Sequence, residues 1–485
     1  MSTMPAGAPR VLILDGHPEP SPALVGGKAA GIARMTASGL PVPPAFVLTT
    51  EVCREFLAHG ERVVDSLADE ISGGMAFLAR RTGRTFGSSE SPLLVSVRSG
   101  AATSMPGMMD TVLNLGVNQG VLKALSAGHG ADYADDIRAR FERGFREIVE
   151  VDDIPVDPWA QLRLAIAAVF RSWLSPRAVA YRRRHGLDDA AGTAVTVQAM
   201  VFGNADAESG TGVLFTRDPA TGTAEPFGEW LAGAQGEDVV SGVRAPLPLS
   251  ALAELLPQVH AQLLDYGRRL EKQHRDVQDI EFTVQSGHLW LLQTRSAKRS
   301  PLAAVRFAVA LVREGLISPH EAAGRVTPDQ VRASRRPGLD PVARRAAPLL
   351  ARGLPVCPGA GSGVVVTDPD EAESRAEREP VVLARPTTSP HDLPGMIAAT
   401  AIVTEVGGAT SHAALVSREL GVPCVVGCGE GSLAGLAGEV VTVCGETGEV
   451  RKGAVPVAEI SAAAGEDLRL LAEWSADSAL SGTEQ

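Results

Sequence analysis

The chain has 485 residues, enough for about three domains at ~150 residues each. Its 45 basic and 57 acidic residues leave a formal net charge of −12, which argues against a general binder of nucleic acid or anionic membrane. A 45 % hydrophobic content is too apolar for a disordered chain, and five scattered cysteines argue against a disulfide framework.

The opening "MSTMPAGAPRVLILDG" has no signal-peptide pattern, and no run of 18 apolar residues is present, so a cytoplasmic protein is expected. "GGKAAGIARMTASGL" reads as a glycine loop entering a helix, with Lys28 behind Gly26 and Gly27. Lys28 can reach a phosphate as a point charge. "LLVSVRSG" reads as a strand running into a glycine turn, and the fork of Arg98 suits bidentate phosphate contact. Neither spacing is a Walker loop or a GxGxxG motif. Residues 130–190 look helical, and "AVTVQAMVFG", "GTGVLFTRDP" and "DIEFTVQSGHLWLLQTR" return to strand.

On the last of these strands Asp279 and Glu281 share a face, as do Gln293 and Arg295. A two-residue loop would oppose Glu281 to Leu292. A three-residue loop, Ser286 to His288, opposes Glu281 to Gln293 and Asp279 to Arg295, and that register is expected. Paired carboxylates can hold Mg²⁺; a solvated hairpin face accounts for the same residues.

Residues 332–353 crowd Arg, Pro and Ala without an apolar period and read as a linker with a short helix. Beyond it, at 354–455, the runs "SGVVVTD", "PVVLAR", "TAIVTE", "PCVVG" and "EVVTVCG" alternate with helix starts, an α/β pattern. In "TSPHDLPGM" Ser389 is the expected cap, with Pro390 first in the helix. Cys424 and Cys428 alone are too few for a zinc site. Residues 456–485 carry one more amphipathic helix, "EDLRLLAEWSAD", and a polar end.

Within the α/β segment, "GGATSHAALVSRELG" sets His412 in the first turn of a helix capped by Thr410 or Ser411, with Ala413, Val416 and Leu420 on one face. A helix start favours an anion, and its free amides donate to phosphate. Gly407 and Gly408 let the backbone come close. The stretch suits a histidine that accepts a phosphoryl group. On spacing alone, a structural histidine near a helix start fits equally.

"GGATSHAALVSRELGVPCVVGCG" resembles the phosphohistidine signature of the pyruvate, phosphate dikinase and phosphoenolpyruvate synthase family. "GGKAAGIARMTASGLPVPPAFVLTT", "LLVSVRSGAATSMPGMMDTVLNLG", "VTVQAMVFGNADAESGTGVLFTRDPATGT", "GEWLAGAQGEDVVSGVRAP" and "QDIEFTVQSGHLWLLQTRSAKRS" are similar to the dikinase branch, in the same order. The resemblance implies an α+β and α/β multidomain chain. Residues 1–331 would be an ATP-grasp-like nucleotide-binding domain with a helical insertion near 115–190, and 354–455 a swivelling phosphohistidine domain. It implies Lys28, Arg98, Gln293 and Arg295 as nucleotide and phosphate ligands, Asp279 and Glu281 as Mg²⁺ ligands, and His412 as the catalytic group within the loop Gly407, Gly408, Thr410 and Ser411. Thr410 also matches a threonine that some plant relatives phosphorylate for regulation.

The implied reaction takes ATP and orthophosphate, forms phosphohistidine with release of AMP and pyrophosphate, and passes the phosphoryl group to pyruvate, or runs in reverse from phosphoenolpyruvate. The family continues into a carboxy-terminal barrel, and the expectation is that a separate chain supplies it. A stand-alone kinase for another small acceptor and a non-catalytic nucleotide-binding remnant are the alternatives. Homodimerisation is left open; neither nucleic acid nor membrane is an expected partner.

Overall fold

Runs of Val and Ile bounded by capped helices become the strands of several sheets, and the chain is a mixed α/β protein. The computed structural model describes residues 9–103, 105, 108–236, 238, 246–335, 339–457 and 462–481. Parts of five segments singled out in the sequence therefore lie outside the described residues: 1–8 of the opening, Ser104 with Pro106 and Gly107, Glu237 with 239–245, 336–338 of the expected linker, and 458–461 with 482–485 of the carboxy-terminal segment. The chain divides into two units, Met1–Ser209 with Thr283–Thr294, and Gly210–Phe282 with Arg295–Gln485.

The first unit holds β1 (Val11–Ile13), β2 (Ala45–Leu48), β5 (Val95–Gly100), β6 (Thr111–Leu115) and β7 (Ala194–Ala199) in one sheet of order β1-β2-β7-β5-β6. Two short strands, β3 (Thr85–Phe86) and β4 (Pro92–Leu93), pair separately. Its core gathers Phe46, Val97 and Val197 from the sheet with Phe141, Phe145, Ile166 and Phe170 from the helices Ala131–Val149 and Pro158–Arg171. The second of these helices starts where the Asp157 side chain accepts from the Trp159 and Ala160 amides, with Pro158 filling the position that needs no N–H.

The second unit contains β8 (Gly210–Phe215), β9 (Phe227–Ala232) and β10 (Leu247–Pro248), from a five-stranded sheet whose order continues through β11 (Gln278–Gln285) to β12 (His288–Ser296). Its other sheet has eight strands: β13 (Leu349–Arg352), β14 (Leu354–Cys357), β15 (Ala360–Val366), β16 (Val381–Arg385), β17 (Ala401–Thr404), β18 (Cys424–Val426), β19 (Val440–Cys444) and β20 (Glu449–Lys452), in the order β13-β20-β19-β15-β16-β17-β18-β14. β15 through β18 are parallel neighbours joined by the helices Pro369–Ala376, Leu393–Ala398 and His412–Leu420, the crossovers that parallel pairing requires. Loops that leave the carboxyl ends of such strands are where open α/β sheets bind ligands.

Two local expectations need correction. The segment 332–353 is not bare linker. Asp340 caps a helix at Pro341–Ala346, as the Pro and Ala content allows, but β13 then pairs with β20 as an edge of the eight-stranded sheet. Ser389 does not cap as an acceptor: its amide and hydroxyl both donate to Asp392 Oδ2, at 2.7 and 2.9 Å, and a 3₁₀ turn Pro390–Asp392 precedes the helix Leu393–Ala398. A carboxylate one turn on is the stronger acceptor, so the serine becomes the donor. The last helix, Ala462–Ser481, buries Leu468 and Leu471 against Val305, Val309 and Leu311 of the helix Pro301–Arg313.

Candidate functional site

His412 is the first residue of its helix. Ser411 is the cap, its hydroxyl accepting from the Ala414 amide at 3.4 Å, and Gly421 closes the helix in the left-handed region at φ 66°. The helix joins β17 to β18, so its start lies beyond the carboxyl end of β17. Thr388 follows the neighbouring parallel strand β16, and its hydroxyl pairs with His412 Nδ1 at 3.1 Å. Two adjacent strand ends thus deliver the imidazole and the group that orients it. Burial pulls the imidazole below its ordinary pKa, against the opposing influence of Asp392. The ring is therefore held neutral, the form with a nucleophilic lone pair.

The buried face of this helix differs from the expected one. Ala413, Ala414, Ser417 and Arg418 are buried, while Leu420 is 36 % exposed. The apolar period misses this because Arg418, 1 % exposed, lies 5.3 Å over the Phe215 ring and donates from Nη2 to the Ala409 carbonyl at 2.8 Å. An arginine stem with a stacked guanidinium can fill a core position that a pattern of apolar residues would assign to leucine.

The loop 407–411 meets Glu229 of β9. The Ala409 amide donates to Oε1 at 2.5 Å and the Thr410 hydroxyl to Oε2 at 3.0 Å. Gly408 lets the carboxylate come this close, because a Cβ there would stand 2.3 Å from Glu229 Oε1 and push that side chain away. Gly407 has φ 127°, which only glycine adopts without strain. Burial raises the Glu229 pKa, opposed by donors from Ala409 and Thr410 and by the charge of Arg418. Glu229, Arg418 and Thr388 all escaped the sequence reading; a glutamate inside a buried strand in "GEWLAG" was the one available signal.

At the edge of the five-stranded sheet that contains β8 and β9, the hairpin of β11 and β12 departs from the expected register. Its turn is Ser286-Gly287, with φ 49° and 73°, the positive pair that a two-residue turn of type I′ needs. The turn is gripped from outside: Ser286 donates its amide to Ser209 Oγ and its hydroxyl to Asp206 Oδ2, and Gly287 donates to the Glu208 carbonyl. The expected three-residue loop is therefore wrong. Along β12, burial falls on Leu289 and Leu291 and then on Thr294, a change of parity of the kind an extra residue in a strand produces.

Despite the shorter turn, Arg295 reaches Asp279: Nε donates to Oδ2 at 2.8 Å, and Nη2 lies 3.8 Å from Glu281 Oε1. Asp279 is 1 % exposed, and its Oδ1 has no hydrogen-bond partner among the described residues. Burial raises the Asp279 pKa, with Arg295 opposing and Glu281 adding to the rise. A buried carboxylate oxygen of this kind costs free energy until a donor or cation meets it. Among the described residues no cluster of three or more acidic, His or Cys side chains gathers. The Asp279–Glu281 pair fits Mg²⁺, which needs only one or two carboxylates when phosphates complete its shell.

In the first unit, Gly26 interrupts the helix Pro22–Ala37 at φ 78° and ψ 157°. A Cβ on it would stand 2.0 Å from the Gly100 carbonyl, and the Gly27 amide donates to the Ala101 carbonyl at 3.0 Å. This contact sets Lys28 beside the end of β5, the strand that carries Arg98. On the same helix, the Cβ position of Gly31 lies 3.6 Å from the Thr294 carbonyl, next to Gln293 on β12. Arg98 and Gln293 thus sit on strands that each meet the helix carrying Lys28 within this unit, and Asp279, Glu281, Arg295 and His412 belong to the other.

Comparison with known proteins matches residues 22–76 and 63–250 to the pyruvate phosphate dikinase AMP/ATP-binding domain, and residues 377–448 to the mobile domain of PEP-utilising enzymes. The chain is 42 % identical over 499 residues to pyruvate, phosphate dikinase of Entamoeba histolytica, covering 90 % of this chain and 56 % of that protein. It is 40 % identical over 505 residues to the Rhizobium meliloti dikinase, covering 89 % and 56 %, and 40 % identical over 513 residues to the chloroplastic dikinase of Mesembryanthemum crystallinum, covering 94 % and 54 %. The chain spans about half the length of the curated relatives it matches. A solved Enzyme I chain is 30 % identical over 20 % of this one with a TM-score of 0.14, a likeness too slight to use. The chain is thus similar, in this order, to the AMP/ATP-binding domain of pyruvate phosphate dikinase and to the mobile domain of PEP-utilising enzymes.

Proposed function

We propose that the chain is a phosphotransferase of the pyruvate, phosphate dikinase kind that forms phosphohistidine at His412 from ATP and orthophosphate. The observation that carries this reading is the setting of His412: first in its helix, kept neutral by burial, and paired through Nδ1 with Thr388. With Nδ1–H donating to the Thr388 hydroxyl, the Nε2 lone pair is free to attack the β-phosphorus of ATP. The N–P bond forms as the bond to the α,β-bridging oxygen breaks, and AMP leaves. Orthophosphate then attacks the terminal phosphorus, pyrophosphate leaves, and one phosphoryl group stays on the ring.

The proposed nucleotide and phosphate ligands are Lys28, Arg98, Gln293 and Arg295, and the proposed metal ligands are Asp279 and Glu281. Mg²⁺ bound there would bridge phosphate oxygens and neutralise charge that builds on them. Residues 1–331 are read as ATP-grasp-like and 354–455 as a module that swivels on the segment 332–353 to deliver the phosphoryl group. The acceptor in this reading is pyruvate or another small molecule. Thr410 is read first as a loop ligand and only second as a regulatory phosphorylation site. A cytoplasmic location belongs to the same reading, and homodimerisation stays open within it. No helix of the described residues is long and apolar enough to cross a membrane.

The test is a single turnover. With ATP and Mg²⁺ but no orthophosphate, the chain should release AMP in a burst stoichiometric with protein, and His412→Ala should release none. An equal burst from the variant removes His412 from the reaction.

A further inference from the structure

Glu229 is 5 % exposed, yet its carboxylate is not idle. It takes the Ala409 amide, the Thr410 hydroxyl and the Thr410 amide, all from the turn that leads into the His412 helix. Amides at a helix start are the donors that hold a phosphoryl group in other proteins. Here the Ala409 and Thr410 amides, two residues and one residue ahead of the Ser411 cap, are taken by a side-chain anion, while the Ala414 amide goes to Ser411.

An independent feature points the same way. Arg418 is fully buried and spends only Nη2 on the Ala409 carbonyl; its Nε and Nη1 have no hydrogen-bond partner among the described residues. It lies within electrostatic reach of Glu229 and Asp279. A buried guanidinium with two unused donors is costly unless an anion meets it in some state of the protein. Glu229 also shares a strand face with Phe227, which packs against the core formed by Ala409, Ala413 and Ala414. The same face of β9 therefore grips the loop by charge and by apolar contact.

We propose that Glu229 is a positioning residue that stands in for the phosphoryl group: it latches the loop 407–411 to β9 while His412 is bare, and yields the Ala409 and Thr410 donors when an anion arrives. The carboxylate and a phosphoryl dianion cannot share one set of donors without strong repulsion. Loading His412 thereby loosens the grip of β9 on the loop. The inference rests on the phosphohistidine reading for its purpose but not for its test.

Amide hydrogen exchange across 405–415 in the full chain decides it, with inorganic phosphate as the probe. Glu229→Ala should speed exchange at Ala409 and Thr410 by about tenfold, the loss expected for charge-assisted hydrogen bonds. Millimolar phosphate should restore protection in that variant and leave the wild type unchanged. Glu229→Gln, which keeps an acceptor oxygen and loses the charge, guards against a fold defect and should fall between the two. Unchanged exchange in both variants overturns the latch. Faster exchange that phosphate does not restore overturns the stand-in and leaves a plain structural clamp. A wild type that takes no label from ATP defeats the phosphohistidine reading, while the exchange result still judges Glu229.

Discussion

His412 is shaped by its neighbours more than by its own loop. Burial lowers its pKa, so the neutral ring dominates already at and above the ordinary histidine value of about 6.5. The sign follows: phosphorylation should be flat above that value and fall on acidification, with a midpoint below it, in a single-turnover pH profile. A midpoint above about 6.5 would contradict the burial argument. Thr388→Val removes the partner of Nδ1 and should slow the step by about tenfold without unfolding the chain. Asp279 and Arg295 form a second unequal pair. Asp279 is 1 % exposed and Arg295 a third exposed, so Arg295→Met strands a buried carboxylate and should cost ~2 kcal/mol, discounted from the fully buried case. Asp279→Asn, which keeps an oxygen acceptor for Arg295, should cost less in thermal unfolding while abolishing Mg²⁺-dependent labelling.

At the scale of elements, what could be read was what periodicity encodes. The five Val-rich runs of the segment 354–455 became β15 to β19, save that β14 precedes them and β18 is short. Ser411 and Gly421 bound the His412 helix because capping chemistry is local. The errors came where distant residues decide. The Ser286-Gly287 turn is fixed by Asp206, Glu208 and Ser209, some eighty residues upstream, and no local preference announces that. Arg418 occupies a buried helical position because Phe215 lies under it, so the apolar stripe of Ala413, Val416 and Leu420 pointed partly outwards. Gly26 is the position where backbone conformation and function meet. Its φ of 78° and its approach to Gly100 leave no room for a Cβ, so Gly26→Ala should displace Lys28 and weaken ATP binding at least about tenfold by calorimetry, whereas Gly73→Ala, in a helix with open space around it, should not.

For the molecule as a whole, the resemblance read from the motifs spans nearly the same stretch as the matches to dikinases, which reach 90 % of the chain. The cap, glycines and helix around His412 were legible because they are contiguous. The contact of Glu229 with that loop was not, because 180 residues separate it from Ala409. Likewise the carboxy-terminal helix reads as an appendage, but Leu468 and Leu471 pack into the second unit. The account stands or falls on one measurement: incubation of the full chain with β-labelled ATP, Mg²⁺ and orthophosphate, followed by peptide mapping under alkaline conditions. It predicts an acid-labile, alkali-stable label on the peptide containing His412, absent from His412→Ala; an unlabelled wild type, or the same label on the variant, would contradict it.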